Sequence, residues 1–346
     1  MTVLDRYVAR IFAVSLFVSF TFVVALYVAV HFFGHLDDLE SAERAFGTRG
    51  IGLMQGICRY YAINMPFIFA KLGPFSALLA AMWTVQKMSK DQEITAAQVA
   101  GVSLHRLMAP VLIVGVLLSL GLWAIRQEML PRLAVPHQEL EWLMRGKTVM
   151  VMDAKPMLVR DSAGNRFSVQ SYDPTSKTAR GVRFRSQDLS RMLDFEEMRY
   201  DDATSRWEKI EPGADPQPIG IDTDLAPRDI EIDARGLRFL ASDELDELAR
   251  RLPGRLDLEL LRQTRFTFPF TTPILLLIGL ALVLRSDRQS VYAAWGLALL
   301  LSLVYIGAEN VLHGLAERDG LLSPFLAAWT PIVVFGTVGA MAFQDL

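Results

Sequence analysis

The 346 residues are 52% hydrophobic and 21% charged, with a formal net charge of -3. The chain is too apolar for an ordinary soluble protein of this size and too charged to lie wholly in a membrane, so spans plus a soluble insert are expected. The near-neutral balance excludes the broad basic field of a nucleic-acid binder, and the lone Cys58 excludes an intrachain disulfide or a cysteine-built zinc cluster.

The first apolar run, about Ile11–Phe33, approaches the roughly 20 residues that cross a bilayer. No small-residue cleavage site comes after it, so it reads as a retained span rather than a signal peptide. The second, about Tyr61–Val85, carries Pro66, Lys71 and Pro74. Between it and the third run (about Leu107–Ile125, with Pro110 inside) lies MSKDQEITAAQVAGVSLHRL, Met88–Leu107. Ser89 with Gln92 three residues on has the form of a capping box. Asp91 and Glu93 would sit in the first turn, where the helix dipole favours anions. Ile94, Ala96, Ala97, Val99 and Ala100 give a small apolar surface, and Gly101 is placed for a C′ stop, with Ser103 free to cap the third span. A short helix of about ten residues, Lys90–Ala100, is expected.

The long insert Arg126–Arg265 changes pattern. Short β-type runs (TVMVMD, PMLVR, RFSVQ, GVRFR, EEMRY, RWEKI, DIEID) alternate with the turn signals DSAGN, YDPTSK, YDDATSR and EPGADP. That spacing implies an antiparallel sandwich or jelly roll. SDELDELARRL comes next as a helix leading back toward the membrane, with Ser242 as its expected N-cap. The Gly146-Lys147-Thr148 triplet lacks the glycine-rich cradle of a phosphate loop and reads as a basic turn. Three more spans complete the chain at about Phe266–Leu284, Val291–Leu312 and Leu322–Phe343; the fourth and sixth carry prolines, which a packed bundle tolerates.

The expected fold is an α-helical membrane protein of six transmembrane helices (3+3) with an inserted all-β, jelly-roll-like domain. Its parts are residues 1–126, 127–240, a connecting helix at 241–265, and 266–346. Arg6, Arg10, Lys87, Lys90, Arg106, Arg285 and Arg288 fall on one side of the spans. The opposite short loops hold only Arg44, Arg49, Arg59 and Arg318, among the acids Asp37, Asp38, Glu40 and Glu43. The basic side, with both termini and the Met88–Leu107 loop, is expected to be cytoplasmic and the insert exported.

No Ser/His pair, HExxH motif or paired intramembrane aspartates suggest an enzyme, no histidine spacing suggests a metal, and no cofactor is expected. The loop helix has two readings: a connector lying on the membrane surface, or a docking element for a separate ATPase with Glu93 as its polar contact. The corresponding functions are a membrane-anchored scaffold or sensor without transport, and a transport subunit. At membrane depth Lys71 should face the bundle interior or a wet cavity, and a Lys71–Glu309 pair would satisfy both groups. Asn310 lies beside Glu309, His31 and His313 near the outer interface, and Trp123, Trp295 and Trp329 read as interface anchors or packing.

GPFSALLAAMWTVQKMSKDQEITAAQVAGVSLHRLMAPVL, Gly73–Leu112, resembles the most characteristic segment of the LptF/LptG lipopolysaccharide-export permeases. There a proline-containing second span runs into a Glu-bearing helix with an Ala-Gly-Ser-like stop. VLDRYVARIF looks like the family's lead-in to the first span, and Glu128-Met129-Leu130-Pro131 like its exit from the third. DLELLRQTRFTFPFTTPILLLIGLAL and LLSPFLAAWTPIVVF are similar to the start of the fourth span and to the last one. The Leu4-Asp5-Arg6-Tyr7 start and the His31–Leu39 region resemble the LptG branch.

The resemblance implies a heterodimer of an LptG-like and an LptF-like permease with two copies of a cytoplasmic LptB-like ABC ATPase. It also implies a periplasmic jelly roll feeding LptC-like and LptA-like bridge proteins, and extraction of lipopolysaccharide or a related glycolipid from the inner membrane. It makes Lys90–Ala100 the coupling helix, with Glu93 as acidic contact and Lys90, Asp91, Ala97 and Gly101 around it. His31, Lys71, Arg126, Arg132, Glu309 and Asn310 are the candidates for the substrate cavity. The chain departs from the LptG pattern in one respect. Where that branch carries basic residues at the outer end of the first span, this chain has His31, His35, Asp37, Asp38 and Glu40. That leaves Arg44, Arg49, Arg59, Arg126 and Arg132 to meet phosphates.

Overall fold

The computed structural model describes residues 3–146, 157–161, 165–173, 176–186, 190–202, 204–210, 217–221, 223–235, 237, 240–251, 256–286, 291–318 and 321–346. They fall into two compact units. One comprises Met1–Gly34, Asn64–Leu130 and Leu256–Leu346, the other His35–Ile63 and Pro131–Arg255.

The first unit is a helical bundle. It is built from α1 (Val3–Gly34), α3 (Leu53–Lys90, from Asn64 on), α4 (Glu93–Val99), α5 (Leu104–Ala124), α9 (Leu256–Arg285), α10 (Val291–Arg318) and α11 (Pro324–Gln344). Among the described residues six helices are long and apolar enough to cross a membrane, in the places the hydropathy pattern predicts. Without water to accept their backbone bonds, apolar runs of this length must close those bonds internally, so they are helices. Several overrun the apolar segment: α3 begins at Leu53, and α5 passes through a π turn (Ile125–Met129) into α6 (Leu130–Met144).

Helix α9 is the packing centre, touching α5, α10 and α11. Phe12, Leu78, Met82, Leu107, Met108, Leu276 and Leu280 are shut away in the bundle core. Two glycines let helices close up: a Cβ on Gly279 would stand 2.2 Å from Leu78 Cδ1, and one on Gly115 2.1 Å from Leu276 Cδ1.

The prolines of α9 show how the bundle repairs its own defects. Pro269 and Pro273 lack an N–H, which frees the carbonyls four residues earlier, those of Arg265 and Pro269. Helix α5 supplies both missing donors: Trp123 Nε1–H donates to Arg265 O at 3.0 Å and Ser119 Oγ–H to Pro269 O at 2.6 Å. The two donors stand one helical turn apart, matching the spacing of the prolines. Trp123 therefore does more than anchor at an interface. Substituting Ser119→Ala together with Trp123→Phe leaves two carbonyls unsatisfied in an apolar setting, each costing about 1–3 kcal/mol. The melting temperature of the purified protein should fall by more than for Ser119→Ala alone.

In the second unit, six strands succeed one another as an antiparallel meander, β1 (Met157–Arg160), β2 (Arg166–Asp173), β3 (Thr178–Arg185), β4 (Met192–Asp201), β5 (Arg206–Lys209) and β6 (Gln217–Pro218). The last is only a two-residue edge. Period-two alternation puts Phe167 opposite Phe184 and Val169 opposite Val182 in the β2–β3 register. These four residues, with Tyr172, Met198 and Trp207, make the core. Burial pushes the Tyr172 phenol well above its ordinary range, and Glu231 and Asp173 add to the shift. This is the antiparallel β insert expected from the sequence. Among the described residues it is a single sheet in sequential strand order, with no second sheet facing it.

Two local expectations change here. DIEID is not a strand: it lies in α7 (Pro227–Arg235), whose Ile230 packs into the sheet core. Pro227 presets the first helical φ, and Asp229 accepts a hydrogen bond from the Ala226 N–H at 2.9 Å, half of a capping box. Two isoleucines cannot distinguish a period of two from a helical turn, so the cap decides. In α8 (Ser242–Arg251) the first helical residue is Ser242 itself, and the carboxylate reaching back to the Ala241 N–H, at 3.3 Å, is Glu244. The TVMVMD run, with Lys147 and Thr148, lies outside the described residues. The preceding Arg145 and Gly146 close α6: Gly146 has φ +70 and its N–H bonds Leu143 O at 3.0 Å.

The remaining parts of this unit are α2 (Leu39–Thr48), the first turns of α3 and most of α6. They bury Phe46, Tyr60, Leu140 and Leu143 together. Two arginines of the 35–63 segment are paired within the unit, Arg44 with Glu40 and Arg49 with Glu139 at 3.0 Å.

Candidate functional site

Helix α3 does not stop before Ser89. Its apolar face continues through Met88, which is buried, so Ser89 lies in the last turn and the helix ends at Lys90. The predicted Ser89–Gln92 capping box is therefore absent. Gln92 sits in the left-handed region (φ 62, ψ 11), makes no side-chain cap, and gives its N–H to Ser89 O at 3.2 Å. A non-glycine residue held there costs on the order of 1 kcal/mol, which the surrounding packing must offset. The helix beyond this break has seven residues, Glu93–Val99, rather than ten.

Its other end is as expected. Ala100 is the C-cap and Gly101 takes φ +81. The N–H of Gly101 bonds Gln98 O and that of Val102 bonds Ala97 O, both at 2.9 Å, which completes a Schellman motif. Ser103 Oγ then accepts from the Arg106 N–H at 3.4 Å and opens α5.

The faces of α4 are distinct. Ile94 and Ala97, with Val102 beyond the stop, rest on the bundle core. Thr95, Gln98 and Val99, at helical spacing i, i+3 and i+4, face outward, and Val99 is 85% exposed. Lys90, Asp91 and Gly101 are exposed as well.

Glu93 lies on the inward side. Tyr7 of α1 donates its O–H to Glu93 Oε1 at 2.5 Å, while Glu93 Oε2 is shielded from solvent and has no hydrogen-bond partner among the described residues. Two residues before Tyr7, the Asp5 carboxylate meets the Arg106 guanidinium at 3.4 Å. The first turns of α1 thus reach both the start of α4 and the first turn of α5. Nothing in the sequence singles out Tyr7 as a partner of Glu93, because no local spacing signals a bond between residues 86 apart.

A second polar group lies inside the bundle. Arg126, in the π turn, stacks its guanidinium 4.6 Å from the Phe268 ring centroid and acts as the cationic neighbour of the half-buried Glu309. One turn away, the buried Tyr305 shares a hydrogen bond with Thr271 at 3.1 Å. The charge acting on Glu309 is thus Arg126, not Lys71, which stands exposed on α3. A π turn adds a residue to the helical circuit and re-aims the side chains beyond it.

Of the six cavity candidates, Arg126 and Glu309 are brought together. Asn310 bonds Ile306 O of its own helix at 2.8 Å, His31 stacks on Tyr27 at 5.7 Å, and the exposed Arg132 belongs to the second unit. Phe268, Thr271 and Tyr305 were missed, although the i, i+4 spacing of Tyr305 and Glu309 places both on one face. Trp329 donates to Gln263 Oε1 at 3.3 Å and Trp295 meets Trp83 edge to face. Among the described residues no His/Cys/Asp/Glu group could hold a metal ion.

The family of lipopolysaccharide export system permeases LptF/LptG matches this sequence over residues 6–212 and 219–345. The match takes in all six candidate spans, the helix between the second and third, and most of the β insert. No curated protein matches the chain. Members of this family are multi-pass inner-membrane subunits that carry out no catalysis themselves, and the transport reading stands over a scaffold. The chain belongs to the LptF/LptG family and is a lipopolysaccharide export permease, a non-catalytic transmembrane subunit of the Lpt ABC transporter.

Proposed function

We propose that this chain is the LptG-side permease of a complex with an LptF-like paralogue and two copies of a cytoplasmic LptB-like ATPase, and that α4 is its coupling helix. Both termini and α4 lie in the cytoplasm, and the β unit lies in the periplasm, where it passes lipid to LptC-like and LptA-like jelly-roll proteins. The carrying observation is the form of α4: a seven-residue rod with a Schellman stop, one face on the bundle core and the other bare. A rod so short bends little, so a push on its outer face moves α3 and α5 with it.

In this reading Glu93 is the acidic contact for the ATPase, Lys90 and Asp91 flank the docking face, Ala97 seats the rod on the bundle, and Gly101 ends it. The excess of Arg and Lys on the α4 side supports the orientation. The Leu4-Asp5-Arg6-Tyr7 opening supports the LptG side.

Lys71 and Arg126 are the cations of the first unit we assign to the lipid phosphates, with His31, Glu309 and Asn310 as its further polar candidates; Arg132, of the second unit, is a separate candidate. Lys71 is an exposed ammonium on a spanning helix, a position that calls for an anion.

The test is coexpression with the ATPase and both paralogue types, then purification in detergent and mass spectrometry of bound lipid. The expected result is a complex retaining the ATPase, an LptF-type partner and lipopolysaccharide. Loss of the ATPase from the intact permease pair would overturn the coupling role, and pairing only with LptG-type paralogues would overturn the branch.

A further inference from the structure

We propose that the outer face of the β sheet carries a phosphate-binding site, built from Arg166, Arg183 and Arg185, that takes the phosphorylated headgroup of the exported lipid. This rests on the reading above that the β unit meets that lipid. Arg166 of β2 and Arg185 of β3 are direct register partners, and Arg183 lies two residues back along β3 on the same face. All three are exposed, on the side away from Phe167, Val182 and Phe184, which are buried in the sheet core. Arg160 of β1 holds the next register position beyond Arg166.

Like charges placed directly opposite each other destabilise a strand pair, because their Cβ atoms stand only about 5 Å apart. Arg180, further back along β3, is neutralised by Glu197 at 3.2 Å. Arg166, Arg183 and Arg185 meet no carboxylate among the described residues, although Asp194 stands opposite Arg183 in the β3–β4 register. The sheet thus holds a repulsion that its folding does not require, and an anion shared by the two facing guanidiniums turns it into an attraction. The chemistry selects phosphate. A carboxylate is filled by one guanidinium fork, whereas a phosphate has more oxygens and more charge and is shared by neighbouring arginines. Met192 of β4 continues the Arg166–Arg185 row, and its side chain is 59% exposed. An apolar, adaptable side chain there adds nothing for inorganic phosphate and suits an amphiphile that carries hydrocarbon beside its phosphates.

The test uses the whole transporter in proteoliposomes with lipopolysaccharide and ATP. One sample carries p-benzoylphenylalanine in place of Met192, and a second carries it in place of Leu193, which pairs with Phe184 on the core side. The expected result is a light-dependent adduct with lipopolysaccharide from position 192. Arg166→Gln with Arg185→Gln should lower that adduct several-fold, and removing the lipid's phosphates should do the same. Arg180→Gln should leave it unchanged. The melting temperature of the double variant should hold or rise, since a repulsion is relieved. The site is refuted by an adduct that persists in the double variant, that forms equally with dephosphorylated lipid, or that forms with bilayer phosphatidylglycerol instead. An equal loss in Arg180→Gln also refutes it, as does a fall in the double variant's melting temperature, which would make the arginines structural. Adducts from position 193 but not 192 overturn the site and leave the lipid relay standing. Adducts from neither, with export continuing, refute the relay and the site with it.

Discussion

Replacing Val99 by aspartate should strip the ATPase from the complex while the chain still inserts and folds. Val99 is the most exposed apolar side chain on α4, and its neighbours in the outward stripe, Thr95 and Gln98, are small or neutral. Such a side chain gains by filling a partner's pocket, and interfaces concentrate their binding energy in a few such positions. A carboxylate there must be desolvated without a matching cation, a cost of about 3 kcal/mol, or roughly a hundredfold in affinity. Thr95→Ala should cost far less. Pull-down of the ATPase, with protease protection as the check on insertion, measures both. Full retention by Val99→Asp would remove the outer face of α4 from the interface.

The second large effect concerns the charge pair inside the bundle. Arg126→Ala strips Glu309 of the cation beside it. Removing the cation leaves this half-buried carboxylate uncompensated, which should lower the melting temperature. Removing both is cheaper, so Arg126→Ala with Glu309→Leu should be more stable than Arg126→Ala alone. Thermal unfolding in detergent reads this out as a double-mutant cycle. Export separates the roles: if Arg126 also meets lipid phosphate, the double variant regains stability but not export. A double variant no more stable than the single one would show that the two charges do not support each other.

The sequence pattern carried the large features because each is a local or periodic signal. Six apolar runs of the length a bilayer needs became six helices, since a membrane leaves the backbone no other partner. Alternating runs broken by turn residues became an antiparallel sheet. Gly101 ends α4 because only glycine takes φ +81 without a steric penalty, and Ser103 caps α5 because its side chain reaches a backbone N–H three residues on.

Other features were settled by contacts between segments far apart in the chain. Ser89 with Gln92 satisfies the local rule for a helix start, but the packing of Met88 holds α3 together past Ser89 and moves the break to Gln92. Ile230 and Ile232 alternate as in a strand, and a cap at Ala226 made them part of a helix. Glu309 met Arg126 rather than Lys71, because the π turn in one helix and the packing of α10 on α9 decide which charges lie close. Glu93 was legible as the distinctive acid of α4, but its bond to Tyr7 was not, nor were the bonds of Ser119 and Trp123 to carbonyls freed by prolines some 150 residues away. Periodicity and capping act within a few residues and can be read along the chain. Which polar atoms complete one another's hydrogen bonds in an apolar interior depends on where the bundle brings the helices together, and only the tertiary structure decides that.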